Sequence, residues 1–287
     1  MTEAAALPTG AIHLEGDTYY VPSLTNCGFI DGLVVDTGPE QSVYEGVEVD
    51  TLAVTHGHAD HFACGAFLRD RGARVVAARD DAALIENPDI NIRGMFSWAK
   101  PGDLLVSKLF QGTPCGVDAL LELWDDPRAE AVRLPGHTMG HTGILTRDGV
   151  LFSGDALYRE ALWRRHPLPY AIDPDMVAAS LDRIASLDFS WLIPGHGEPA
   201  ARDDALRDIA FHKAQIAGIE ARVVELLVKP HSTEEAIAAV SAERGLSDNP
   251  AQYWLAVTTV KGYLGDLLAR GVIEFYVKEH AGYWHSL

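Results

Sequence analysis

Between His56 and His61 the chain places three imidazoles and one carboxylate: His56, His58, Asp60 and His61. They follow directly on the apolar run Leu52-Ala53-Val54. A hydrophobic core has no use for such a cluster. Imidazole nitrogens and carboxylate oxygens at this density suit a zinc-type cation. A loop leaving a strand fans the side chains around one point. This differs from H-E-x-x-H, in which a helical turn brings two histidines to one face. Three later segments repeat one pattern: Leu134-Pro135-Gly136-His137-Thr138, Leu151-Phe152-Ser153-Gly154-Asp155 and Leu192-Ile193-Pro194-Gly195-His196-Gly197. Each is an apolar run, then a glycine, then a metal-type ligand. Side chains at the ends of neighbouring strands converge on one edge of a sheet.

The elements that must position these groups read as an alternation of strands and helices. Short strands are expected at 12–14, 19–21 and 33–35, punctuated by Gly16-Asp17, Asp31-Gly32 and Gly38-Pro39. A buried strand at 52–55 precedes a helix over 64–71, a strand at 74–77 and a helix over 80–86 stopped by Asn87-Pro88. Residues 87–128 have no clean period and read as a long excursion beside the site. Strands follow at 132–134, 144–146, 150–152 and 191–193, with a helix over 175–187 between the last two. From about residue 200 the character is helical: 204–228, a helix opened by Ser232-Thr233-Glu234-Glu235, and 251–269. A hairpin over 272–277 and 283–284 completes a winged-helix-like unit. The pattern predicts an α/β fold with sheets covered by helices, divided as a catalytic domain over 1–203 and a helical C-terminal unit over 204–287.

Composition narrows the partners. A net charge of -18 over 287 residues argues against nucleic acid, which is bound through Lys and Arg, and against an anionic membrane. The tail keeps this bias: Arg244, Lys261, Arg270 and Lys278 face seven carboxylates, so its winged-helix-like pattern does not predict DNA binding. Cys27, Cys64 and Cys115 are odd in number and far apart, which fits a reduced protein rather than a disulfide framework. The start lacks a basic n-region and an apolar h-region, and no apolar run is long enough to span a bilayer. A cytoplasmic protein acting on a small molecule is expected, with the tail packing over the site or forming a homodimer contact.

Over roughly residues 10–200 the sequence resembles the metallo-β-lactamase superfamily. The resemblance is carried by His56-Gly57-His58-Ala59-Asp60-His61, Pro135-Gly136-His137-Thr138, Gly154-Asp155 and Pro194-Gly195-His196-Gly197, with Asp36-Thr37-Gly38 as an early Asp-Thr-Gly turn. It implies a four-layered αβ/βα sandwich with the site along one edge. It also implies two divalent metal ions, zinc first and iron or manganese as alternatives. His56, His58 and His137 would bind one ion, Asp60, His61 and His196 the other, and Asp155 would bridge them. Two cations about 3.5–4 Å apart share a water and lower its pKa toward neutrality. The resemblance thus implies Asp60 and Asp155 as the catalytic carboxylates, with Asp60 expected also to orient the hydroxide. Asp36 and His141 are expected to support the ligands rather than bind metal.

The run Pro135 to Thr142 resembles glyoxalase-II-type hydrolases, which implies attack on an ester, thioester or lactone carbonyl. The β-lactamases of the commonest zinc class carry a cysteine where this chain has Asp155. A persulfide dioxygenase using one iron on His56, His137 and Asp155 is the alternative from another reaction class. A phosphodiesterase or ribonuclease of the same superfamily is a further one, and a non-enzymatic assembly role for the C-terminal unit is a third. Trp98, Tyr158 and Arg164 are the expected substrate contacts, with Lys100, Arg159, Arg165 and His166 nearby in sequence.

Overall fold

The strands Leu33–Val35, Thr51–Val54, Val150–Gly154 and Trp191–Pro194, which lead into metal-type ligands, are buried almost throughout, whereas Ala129–Arg133 mixes buried and exposed positions. The computed structural model describes residues 6–103 and 110–287. One sheet runs in the order β1 (Ile12–Glu15), β2 (Thr18–Val21), β3 (Cys27–Ile30), β4 (Leu33–Val35), β5 (Thr51–Val54), β6 (Arg74–Ala77) and β7 (Ala119–Leu120). It is antiparallel up to β4 and parallel from β4 to β7. The second sheet has the order β12 (Ala200–Ala201), β11 (Trp191–Pro194), β10 (Val150–Gly154), β9 (Thr142–Thr146) and β8 (Ala129–Arg133).

The pleat sorts alternate residues into different cores. Val34, Leu52, Val54 and Val75 pack with Leu68 of α1 (Gly65–Asp70) and Ile85 of α2 (Arg79–Glu86). Their neighbours Leu33, Val35, Ala53 and Val76 turn the other way, against Ile144, Val150, Phe152 and Ile193 of the second sheet. Leu151 and Leu192 face outward again, onto Leu181 and Ile184 of α5 (Pro174–Ser186) and Ile209 of α6 (Arg202–Leu226). The layers are helix, sheet, sheet, helix: the expected αβ/βα sandwich. Apolar runs without polar alternation are what strands covered on both faces require.

The helical tail continues this outer layer. The apolar cluster runs unbroken from α5 and α6 into Ile237 and Val240 of α7 (Thr233–Glu243) and Val257, Val260 and Leu264 of α8 (Pro250–Ala269). Ser232 caps α7 in a reciprocal capping box with Glu235. Asn249 caps α8 by accepting from the Gln252 N–H. A hairpin of β13 (Ile273–Lys278) and β14 (Ala281–Ser286) closes the chain. Among the described residues no helix is long and apolar enough to cross a membrane.

The stretch 87–128 corrects one expectation. It is not wholly irregular: α3 (Asp89–Met95) forms in it, and only 104–109 lie outside the described residues. A helix of seven residues offers just one apolar repeat, Ile92 and Met95, too short to register as a period. That repeat is buried with Phe110 against Trp254 and Leu255 of α8.

Where α8 meets the start of α5, Asp266 accepts the Asp175 N–H at 3.1 Å. Burial pushes its carboxyl up to about 6, with Asp173 and Asp175 adding to the shift and Arg270 opposing it. The folded state therefore holds this proton more tightly than the unfolded chain. Its stabilising effect is complete below the ordinary carboxylate range and is lost as pH rises through about 6. Asp266→Asn is expected to raise the thermal midpoint at pH 7 by about one to three degrees, because solvent screens a half-exposed group, and to leave it unchanged near pH 3.5. Equal midpoints at both pH values in thermal melts would contradict this.

Candidate metal centre

The ligand-type side chains all sit just past the ends of strands. Asp36 follows β4, the run His56 to His61 follows β5, His137 follows β8, Asp155 follows β10 and His196 follows β11. The sheets are tied together at this edge. Thr142 N–H donates to the Thr55 carbonyl at 2.9 Å, and the Asn26 side chain reaches the carbonyls of Pro194 and Gly197 at 2.9 and 2.7 Å.

Three groups of ligand atoms result. His56, His58 and His137 form one, Asp60, His61 and His196 a second, and His56, His61 and Asp155 a third that shares a member with each. Within each group the atoms lie within 4.8 Å of one another. Asp155 faces three imidazoles: the Nε2 atoms of His61, His137 and His196 are each 3.6 Å from its carboxylate.

The outward nitrogen of each of four histidines is occupied, which turns the other nitrogen inward. His137 Nδ1 donates to the Tyr170 carbonyl at 3.0 Å, and His196 Nδ1 to the Leu24 carbonyl at 2.6 Å. His61 Nδ1 donates to Asp36 Oδ2 at 2.8 Å. Thr55 gives its own hydroxyl proton to Asp36, so at 3.1 Å it accepts from His56 Nδ1. The inward atoms then crowd together: His58 Nδ1 lies 3.0 Å from His56 Nε2 and 2.9 Å from His137 Nε2, and a single proton on His58 Nδ1 can serve only one of them. His61 Nε2 and Asp155 Oδ1 are buried without a hydrogen-bond partner among the described residues. Ligand-type nitrogens and oxygens converging in this way fit a cation.

Electrostatics separate the two ends of the site. Burial, reinforced by the neighbouring imidazoles, pushes His56 and His137 well below the ordinary histidine range, so they are neutral, as metal ligands must be. At the acidic end burial opposes charge on His61 and His196, but Asp60 and Asp155 outweigh it. His61 is raised to about 9 and His196 to about 10. Asp60 and Asp155 resist burial through the same imidazoles and lie far below the usual carboxylate range. A cation at the acidic end therefore competes with protons.

Asp36 and His141 are both buried beside these groups. Asp36 accepts the Thr55 N–H and hydroxyl, each at 2.7 Å, as well as His61. It holds a left-handed backbone conformation, φ 53°. His141 Nε2 accepts the Asp155 N–H at 3.0 Å, so that lone pair is already used. Tyr158 donates its hydroxyl to Asp155 Oδ2 at 2.8 Å, and burial next to that carboxylate keeps it protonated. His212 of α6 holds Tyr158 from behind, accepting its N–H at 3.3 Å.

Two of the expected substrate contacts lie elsewhere. Trp98 is 69% exposed in a turn beyond α3 and lines no part of the cavity at the site. Arg164 ends α4 (Glu160–Trp163), is 75% exposed and pairs with Glu160 one turn back. Its neighbours Arg165 and His166 line the cavity instead, because successive residues leaving a helix point in different directions.

Three residues were not legible from the motifs. Thr25 donates to Asp60 Oδ2 at 2.9 Å. Tyr170 supplies the carbonyl that fixes His137. Asp81 of α2, 1% exposed, accepts the Gly57 N–H at 2.9 Å, the Gly140 N–H at 2.7 Å and the Thr138 hydroxyl at 2.5 Å. Only the glycines beside the motifs hinted at such close packing.

Gly195 shows how close. A Cβ there would stand 2.7 Å from His61 Cε1 and collide with Asp155 Oδ1. Gly195→Ala is expected to displace Asp155 and weaken metal retention about tenfold or more, with the fold intact. Chelator competition alongside circular dichroism checks this; unchanged retention in a folded variant would contradict it.

Residues 20–196 match the sequence profile of the metallo-beta-lactamase superfamily. The chain belongs to that superfamily, whose members are generally hydrolases, and its His/Asp cluster is the candidate divalent-metal site. Among individual relatives, the Beta-lactamase-like protein 2 homolog of Drosophila melanogaster is 24% identical over 251 residues, covering 81% of this chain and 76% of that protein. The hydroxyacylglutathione hydrolase of Shewanella loihica is 29% identical over 177 residues, which is 57% of this chain and 55% of that protein's length. A metallo-beta-lactamase family protein from Thermus thermophilus shares the fold with TM-score 0.68 at 20% identity, covering 94% of this chain and 99% of that one. A beta-lactamase domain protein from Burkholderia ambifaria does so with TM-score 0.66 at 17% identity, covering 99% and 97%.

Proposed function

We propose that this protein is a dinuclear metal-dependent hydrolase of a small-molecule ester, thioester or lactone. The observation that carries the reading is the pair of inward-facing ligand sets that meet at Asp155. His56, His58 and His137 would hold one divalent cation, Asp60, His61 and His196 the other, with Asp155 common to both. Bound cations supply a water acidic enough to ionise near neutral pH and a Lewis acid for the substrate carbonyl.

The protein's own residues do the rest. Thr25 fixes one oxygen of Asp60 by donating to it, so the carboxylate is held in place to bind metal and to orient a bound water. Tyr158 anchors Asp155 and, being protonated, can donate only to one acceptor at a time. The apolar walls of the cavity exclude bulk water and strengthen these interactions. The name of the Shewanella relative, a hydrolase of hydroxyacylglutathione, supports an acyl thioester or ester as the substrate type.

Elemental analysis of the purified protein, followed by a screen of thioesters, lactones and phosphoesters, tests the reading. The expected result is about two zinc or similar divalent ions per chain and turnover that chelation abolishes. One iron per chain with oxygen uptake on a persulfide would replace hydrolysis by dioxygenation. Turnover that survives thorough chelation would overturn both.

A further inference from the structure

The cavity over the candidate metal centre has a volume of about 560 Å³, in the range of small-molecule sites. His58, Asp60, His137, Asp155 and His196 form its polar floor. Its walls are of the opposite character and come from three distant parts of the chain. Met95 and Phe110 form one side, Leu162 of α4 and Leu168 beyond it a second, and Leu246 of the α7–α8 loop and Leu255 of α8 the third. The first and third sides are backed by packing. Ile92, Met95 and Phe110 form a cluster of their own with Trp254 and Leu255, and the Phe96 ring lies 4.6 Å from that of Trp254. The apolar wall is therefore built, not left over from a surface.

Among the described residues Arg165 is the one permanently positive side chain lining the cavity. Neighbouring arginines are neutralised: Arg159 by Asp208 and Arg164 by Glu160. Arg165 makes no such pair among the described residues and is exposed at the cavity. Ser23, Asn91, His166 and Gln252 add polar groups to the lining, but apolar side chains make up most of the walls and Arg165 is their one fixed cation among the described residues.

We propose that the cavity selects an amphipathic acyl compound. An apolar acyl chain lies against Met95, Phe110, Leu162, Leu168, Leu246 and Leu255, and an anionic group on the other side of the carbonyl faces Arg165. This deepens the hydrolase reading and rests on it for the reaction, while the binding is independent of turnover. The C-terminal helices thereby become a specificity wall of the active site.

Calorimetric titration of the metal-loaded protein with acetate, hexanoate and octanoate tests the wall. Affinity is expected to rise roughly threefold per added methylene. Leu255→Asn and Leu246→Asn should each flatten that slope, lowering the octanoate-to-acetate ratio about tenfold. Using two variants and a ratio keeps the test independent of one variant's folding. Arg165→Ala should raise KM about tenfold for octanoyl-coenzyme A relative to the uncharged octanoyl thioester of N-acetylcysteamine. Octanoate binding no tighter than acetate, or a slope unchanged in both leucine variants, would overturn the proposal. Turnover of acetyl esters without any chain-length dependence would remove this proposal and leave the hydrolase reading standing. A steep binding slope without ester or thioester turnover would support the cavity assignment and remove the hydrolase reading.

Discussion

Asp155→Ala is expected to lower kcat/KM on the order of 10³-fold or more and to reduce metal content from the proposed two ions per chain to one or none. Its carboxylate faces three imidazoles at once, with His61, His137 and His196 each 3.6 Å away. Removing it takes the shared negative charge from between the two ligand sets. It also leaves the buried Tyr158 hydroxyl without its acceptor, at a cost of about 1–3 kcal/mol. Relief of a fully buried charge offsets part of that cost, so the variant is expected to fold. Asp155→Asn separates the two effects. It preserves an oxygen for Tyr158 while deleting the charge, so stability should recover and metal content should not. Elemental analysis, steady-state kinetics and thermal melts on the two variants together decide the matter. Two tightly held ions and near-normal turnover in Asp155→Ala would remove Asp155 from the centre.

How far the sequence reveals this site follows from what each residue does. The groups proposed as ligands are visible because cation binding restricts residue type and the strand-end geometry restricts spacing; His56 to His61, His137, Asp155 and His196 all carry that double signature. Most central strands are visible because strands buried on both faces read as apolar runs, but β3, buried throughout, escapes that reading, and β8, which mixes buried and exposed positions, is read only at its end. Residues that hold those groups in place are constrained only by tertiary proximity. Thr25 meets Asp60 across 35 residues, and Tyr170 meets His137 across 33. No local pattern encodes either contact. Substrate contacts suffer most, since adjacent residues such as Arg164 and Arg165 differ only in direction at the end of α4. The α3–α8 wall was hidden for another reason: a single apolar repeat in α3 has meaning only once α8 lies against it.

Asp81 belongs to the hidden class and carries the second large expected effect. In sequence it is an acid in the first turn of a helix, where the helix dipole alone accounts for it. In the fold it reaches Gly57 across 24 residues, Thr138 across 57 and Gly140 across 59. It thereby joins the loop bearing His56 and His58 to the loop bearing His137. Neither glycine tolerates a larger residue: a Cβ on Gly57 would lie 2.5 Å from Leu84 Cβ, and one on Gly140 2.7 Å from Asp81 itself. Asp81→Ala leaves two backbone N–H groups and one hydroxyl buried without an acceptor. At about 1–3 kcal/mol for each unsatisfied group, with partial relaxation, the expected loss is about 3–5 kcal/mol, or about ten degrees in thermal midpoint. The loops should also drift apart, weakening metal retention by His56, His58 and His137 about 10- to 100-fold. The set Asp60, His61 and His196 has its own anchors in Thr25, Asp36 and Leu24 and should keep its ion. Asp81→Asn retains one acceptor oxygen but turns a donor toward a backbone N–H, so it should fall between the two. Chelator competition resolves a latch from a purely structural role. A large drop in midpoint with both ions held as tightly as before would make Asp81 a stability residue alone.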